Sequence, residues 1–120
     1  MRLTPIFSSL IRKSQRKKDI RQFIPSEGQE FSLGKWRNFE LFLRVSYGHE
    51  DENQDSVGII LENGEQKFFI GGDIGLESEK EILDSGVDIQ ADVMLMNHHG
   101  SHVSEEFFKK VSPSYSVISC

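Results

Sequence analysis

Cysteine is nearly absent from this chain: Cys120 is the only one among 120 residues, which excludes a disulfide framework or a Cys-rich zinc site built within one copy. Proline is scarce at three, and with 37% apolar, 10% aromatic and 28% charged residues neither disorder nor a fibrous repeat fits. No apolar run approaches the roughly 18 residues of a membrane-crossing helix. Residues 1–10 also lack the continuous apolar stretch and small-residue cleavage site of a secretory signal. These absences predict a folded cytoplasmic piece in a reducing compartment. Its 120 residues suffice for one core burying roughly two thirds of the unfolded surface.

An excess of positive charge is missing as well. The net charge of −5 argues against a chain that is one uniform basic face for nucleic acid. The average conceals an asymmetry, because residues 1–37 hold nine Lys or Arg against three Asp or Glu, and residues 38–120 hold five against sixteen. Within residues 5–23, Ile6, Phe7, Leu10 and Ile11 recur at helical spacing and lead into Arg12, Lys13, Arg16, Lys17 and Lys18. This predicts a surface helix whose cationic face is either solvated or attracts a phosphate-bearing substrate. The chain divides into a basic helical segment with its linker, residues 1–29, and a domain, residues 30–120.

Residues 20–24 read as a short strand closed by Pro25. Residues 39–45 alternate Phe39, Leu41, Leu43 and Val45 against Glu40 and Arg44, the pattern of a half-buried strand. Residues 48–55 form a polar loop. Residues 56–62 and 67–70 flank Asn63-Gly64, the dipeptide of a type I′ hairpin turn. Residues 77–83 are helical, with Glu77 and Glu79 complementing the macrodipole and Gly86 ending the helix. Residues 92–96 are almost wholly apolar, as in a strand covered on both faces. Ser104 can cap a second helix that Pro113 terminates, and residues 115–119 make a last strand. The layout gives an α/β or α+β class, a sheet covered by helices.

Gly71-Gly72-Asp73 ends one strand, and His98-His99-Gly100-Ser101, with His102 beside it, ends the next. Strand C-termini are where a sheet presents side chains to a crevice without disturbing its core. If both strands share one sheet, Asp73 meets the histidine pair, and carboxylate plus imidazole suits zinc, manganese or iron. Each feature has a plainer reading: Asp73 as a helix cap, the histidines as surface or satisfied buried groups, His49 as a solvated loop residue.

The run from Gln54 through Leu61, the strand ending at Asp73, the helix over residues 77–83 and the run from Ala91 through Ser101 together resemble the second half of the metallo-β-lactamase fold. The nearest pattern is the C-terminal hydrolase domain of the ComEC/Rec2 competence proteins, matched over roughly residues 53–119, with residues 30–45 fitting the two preceding strands. The resemblance implies the C-terminal half of an αββα sandwich. It also implies that Asp73 bridges two divalent ions, zinc or manganese, and that His98 and His99 supply one ligand, favoured as His99, and one group beside the substrate. Two ions about 3.5–4 Å apart would activate water against a phosphorus or carbonyl centre. Gly100, Ser101 and His102 would contact the substrate, with the Gly100 and Ser101 N–H groups toward a phosphate. The substrate so implied is a phosphodiester, DNA among the candidates.

The chain departs from that pattern in carrying Gly71 where Thr is usual, His102 where Lys is usual, and a loop about two residues shorter after Ser101. The family's His-x-(His/Asp)-x-Asp-His motif does not occur in residues 1–97, where His49 is the only histidine. The histidine that usually follows the last strand is also missing. The chain therefore reads as a fragment of a metal-dependent hydrolase, inactive by itself and needing the N-terminal half of the fold or a second copy. The alternative is a non-catalytic remnant or binding module that keeps the half-fold without a working metal site.

Overall fold

The computed structural model describes residues 29–32, 37–42 and 56–119 of the chain. The basic helix, the short strand at residues 20–24, residues 43–45 and the loop at residues 48–55 with His49 lie outside the described residues. So does all of the 1–29 segment except Gln29.

The elements are β1 (Gln29–Ser32), β2 (Arg37–Phe42), β3 (Gly58–Asn63), β4 (Gln66–Ile70), α1 (Leu76–Ser85), β5 (Val93–Leu95), a 3₁₀ turn (Asn97–Gly100), α2 (Glu105–Val111) and β6 (Tyr115–Val117). Among the described residues they form the expected mixed α/β class around one six-stranded sheet in the order β1-β2-β3-β4-β5-β6. Successive strands from β1 to β4 pair antiparallel, and β5 and β6 run parallel to β4.

The hairpin forms where the residues predict it, with its turn one position later. Asn63 pairs with Gln66, so Gly64 and Glu65 are the central residues, and of the pair Asn63-Gly64 only Gly64 has positive φ, at 65°. Glycine at the first central position belongs to a type II′ turn, not the type I′ turn expected. The register sets Ile60 opposite Phe69; with the turn one position earlier Ile60 would stand opposite Lys67 and Phe69 opposite Gly58.

Ile60, Phe69 and Met94 stand side by side on adjacent strands and define the covered face. Ile74, Ile82, Ile89, Phe107 and Val111 close over them. Phe69 and Phe107 meet edge to face, with ring centroids 5.4 Å apart, an arrangement that adds to their area burial. Helix α1 ends on Gly86 in the left-handed conformation, and Ser104 caps α2 by accepting from the Phe107 N–H at 3.2 Å.

The other face carries two apolar rows, Ile59-Ile70-Leu95-Val117 and Leu61-Phe68-Val93-Tyr115. They are half-buried from β3 to β5 and open at β6, where Val117 is 50% and Tyr115 73% exposed. The expectation that residues 92–96 are covered on both faces is thus corrected. Met94 is fully buried, while Val93 and Leu95 on the face away from the helices are only half-buried. An apolar face running out to an edge strand favours association. The chain should self-associate in sedimentation velocity and Val117→Lys should shift it toward monomer; a wild-type monomer at every concentration would contradict this.

Candidate metal centre

Because β4 and β5 are parallel neighbours, the segments following them emerge at one edge of the sheet. The turn after β4 holds Gly72, at φ 65°, and Asp73. Asp73 does not cap the next helix: Gly75 is the N-cap residue of α1 and no side chain caps it. The carboxylate is left for other work.

The turn after β5 is unusual. His98 (φ 47°, ψ 46°) and His99 (φ 56°, ψ 27°) are both left-handed, and Gly100 follows at φ 77°. A non-glycine residue in that region costs about 1–2 kcal/mol, so neighbouring contacts must over-determine the pair. Several do. The His98 N–H donates to Gly72 O at 2.9 Å, tying the two turns together. The Ser101 N–H and hydroxyl both donate to His98 O, at 3.0 and 2.6 Å.

This backbone brings His99 Nε2 to 3.5 Å from Asp73 Oδ1, with both side chains about half exposed at the sheet edge. The other ring nitrogen, Nδ1, lies 3.0 Å from Ser119 O. A carbonyl can only accept, so Nδ1 carries the proton, and Nε2 is the nitrogen turned toward the carboxylate. Two such atoms face each other favourably only across a proton or a cation. The fit to a cation is good: two ligands of one tetrahedral ion at about 2.0–2.1 Å stand about 3.3 Å apart, and a ligating histidine ordinarily donates its second N–H to a carbonyl or carboxylate. Among the described residues, no group of three or more His, Cys, Asp or Glu side chains converges in this way.

The remaining predicted site residues lie beside this pair. The His98 ring is half-buried and stacks obliquely on His102, with centroids 5.4 Å apart. Ser101 Oγ sits 3.0 Å from His102 Nδ1, but its proton is directed at His98 O, so the hydroxyl accepts from the ring and is not poised as a nucleophile. The Ser101 N–H, expected to face a phosphate, is spent on His98 O inside the turn. Gly100 abuts Ile118, whose side chain would lie 3.6 Å from an added Cβ.

Two residues at the site escape a reading of the sequence. Asn97 and Glu79 are both fully buried, and Asn97 Nδ2 donates to Glu79 Oε1 at 2.9 Å. Glu79 Oε2 accepts from the Ser104 N–H at 2.8 Å. Read from the sequence, Glu79 is a first-turn acid that complements the helix macrodipole. Its phase was the available signal, since Ile82 and Leu83, three and four residues on, belong to the core face of the same helix. Nothing marked Asn97 beyond its place before the histidines.

Fold and site thus define a mixed sheet that presents a carboxylate and imidazoles at the C-terminal ends of adjacent parallel strands. No protein-family model matches the chain. A 70-residue stretch, 57% of the chain, is 34% identical to ComE operon protein 3 of Bacillus subtilis (strain 168), and spans 9% of that protein's length.

Proposed function

We propose that this chain is part of a metal-dependent hydrolase domain of the metallo-β-lactamase superfamily, in a competence-related protein whose substrate is a phosphodiester such as DNA. The observation that carries the reading is the Asp73–His99 pair, 3.5 Å apart on the edge where β4 and β5 end. The similarity to ComE operon protein 3 supports the competence link.

Asp73 and His99 would hold one divalent ion, zinc or manganese. Such an ion supplies Lewis-acid polarisation of a phosphoryl or carbonyl oxygen. The protein's own contribution is positional. The bond from His98 N to Gly72 O fixes the spacing of the two ligands, and Ser119 O holds the His99 ring in one tautomer. The His98 ring, 6.5 Å from the His99 ring and 5.4 Å from the His102 ring, would exchange a proton with substrate. A catalytic zinc takes three protein ligands, so the remaining ligands would come from the other half of the fold or from a second copy.

Calorimetry of the chain with zinc and manganese, alongside turnover of bis(p-nitrophenyl) phosphate, tests this reading. Weak binding that disappears in Asp73→Ala, with little turnover, is the expected result. No binding of either metal would favour a remnant without a metal site. Tight stoichiometric binding with robust turnover would mean that a second copy completes the site, contrary to the half-site reading.

A further inference from the structure

We propose that Glu79 is a positioning residue for the histidine turn, a buried strap that holds residues 97 and 104 at the two ends of the segment bearing His98, His99, Ser101 and His102. The inference rests on the reading of this edge as the functional site and adds to it a residue outside the ligand set.

A carboxylate in an apolar core is costly unless its oxygens are met by donors, and an apolar side chain of similar size would serve packing better. Glu79 is completely buried in α1, on the side that carries Ile82 into the core. Both of its oxygens are met, and neither by a residue of its own helix. Oε1 takes the Asn97 amide at 2.9 Å and Oε2 takes the Ser104 N–H at 2.8 Å, partners 18 and 25 positions further along the chain. One partner immediately precedes His98 and the other caps α2. Between them the backbone makes three successive left-handed steps, at His98, His99 and Gly100. A turn of that conformation, short of glycine at two of its three positions, persists only where its ends are fixed. The strap fixes them from below, inside the core, and leaves the ring atoms of the histidines at the sheet edge free for chemistry.

The polarity of the network supplies a rescue. Glu79→Leu keeps the volume and removes the strap. Glu79→Gln with Asn97→Asp reverses one bond and keeps both, because the introduced amide donates to the introduced carboxylate while its oxygen still accepts from Ser104. Amide hydrogen exchange of the full chain reads the result. In Glu79→Leu the Ser104 and His98 amides should exchange at least about tenfold faster while those of Phe69 and Met94 change by less than about twofold, and the double variant should return close to wild type. Unchanged Ser104 and His98 amides, an equal acceleration of all four, or a double variant no better than Glu79→Leu would each overturn the proposal. Zinc titration followed at the His99 ring resonances separates the two readings. A wild-type response that Glu79→Leu weakens about tenfold supports the strap as a determinant of ligand geometry. A wild-type chain with no zinc response sinks the metal reading, and the exchange pattern still decides the strap.

Discussion

On the proposed function, this chain combined with the His-x-(His/Asp)-x-Asp-His half of a metallo-β-lactamase domain should hydrolyse bis(p-nitrophenyl) phosphate, and Asp73→Ala or His99→Ala should each reduce the rate by more than about a hundredfold. Loss of a group that merely orients a ligand costs about 10–100-fold in metal affinity or activity, so loss of the ligand itself must exceed that range. His98→Ala should behave differently. Its ring lies beside the Asp73–His99 pair, 6.5 Å from the His99 ring, and its backbone supplies the bond to Gly72. The substitution keeps that backbone bond, so metal content should stay near wild type while kcat falls. Metal analysis of each purified variant, paired with steady-state kinetics, makes the comparison. Full activity in His99→Ala, or metal loss in His98→Ala equal to that in His99→Ala, would reverse the assignment of the two histidines.

The meeting of Asp73 with His99 was legible because it depends only on chain order. A strand, a crossover helix and a second strand place the two C-terminal ends together once the strands pair in parallel, and hydrophobic period and glycine placement are enough to recognise those elements. The caps were legible for the same local reason, as Ser104 and Gly86 act on the residues next to them. What escaped depends on neighbours far along the chain. Helical phase puts Glu79 on the face of Ile82 and Leu83, unlike Glu77, but its partner Asn97 lies 18 positions away. The hairpin turn moved by one residue because Asn63-Gly64 is locally sufficient for type I′, whereas the cross-strand register that buries Ile60 beside Phe69 selects Gly64-Glu65. Coverage of β5 was overestimated because an apolar run of three to five residues looks alike whether one face or both are covered.

At Gly71 the chain has glycine where the pattern it resembles has threonine, and the structure supplies a reason: an added Cβ would collide with Asn97 Oδ1 and lie 3.0 Å from the Phe69 ring. Asn97 cannot give way freely, being fully buried with its amide nitrogen committed to Glu79. Its Oδ1 is buried, has no hydrogen-bond partner and packs over the bare Cα of Gly71. Gly71→Ala must therefore displace the asparagine and break its bond to the carboxylate. Overpacking of about 1–3 kcal/mol together with a buried acceptor left short of its donor puts the destabilisation at about 2–4 kcal/mol. Asn97→Ala removes the obstructing atom, so Gly71→Ala should cost at least about 1 kcal/mol less in that background, the coupling expected of residues in direct contact. Urea unfolding of the wild type, both single variants and the double variant completes the cycle. Additive effects would mean that the alanine methyl is accommodated by backbone movement at the β4 end, and the Gly71–Asn97 complementarity would then not explain the departure from threonine.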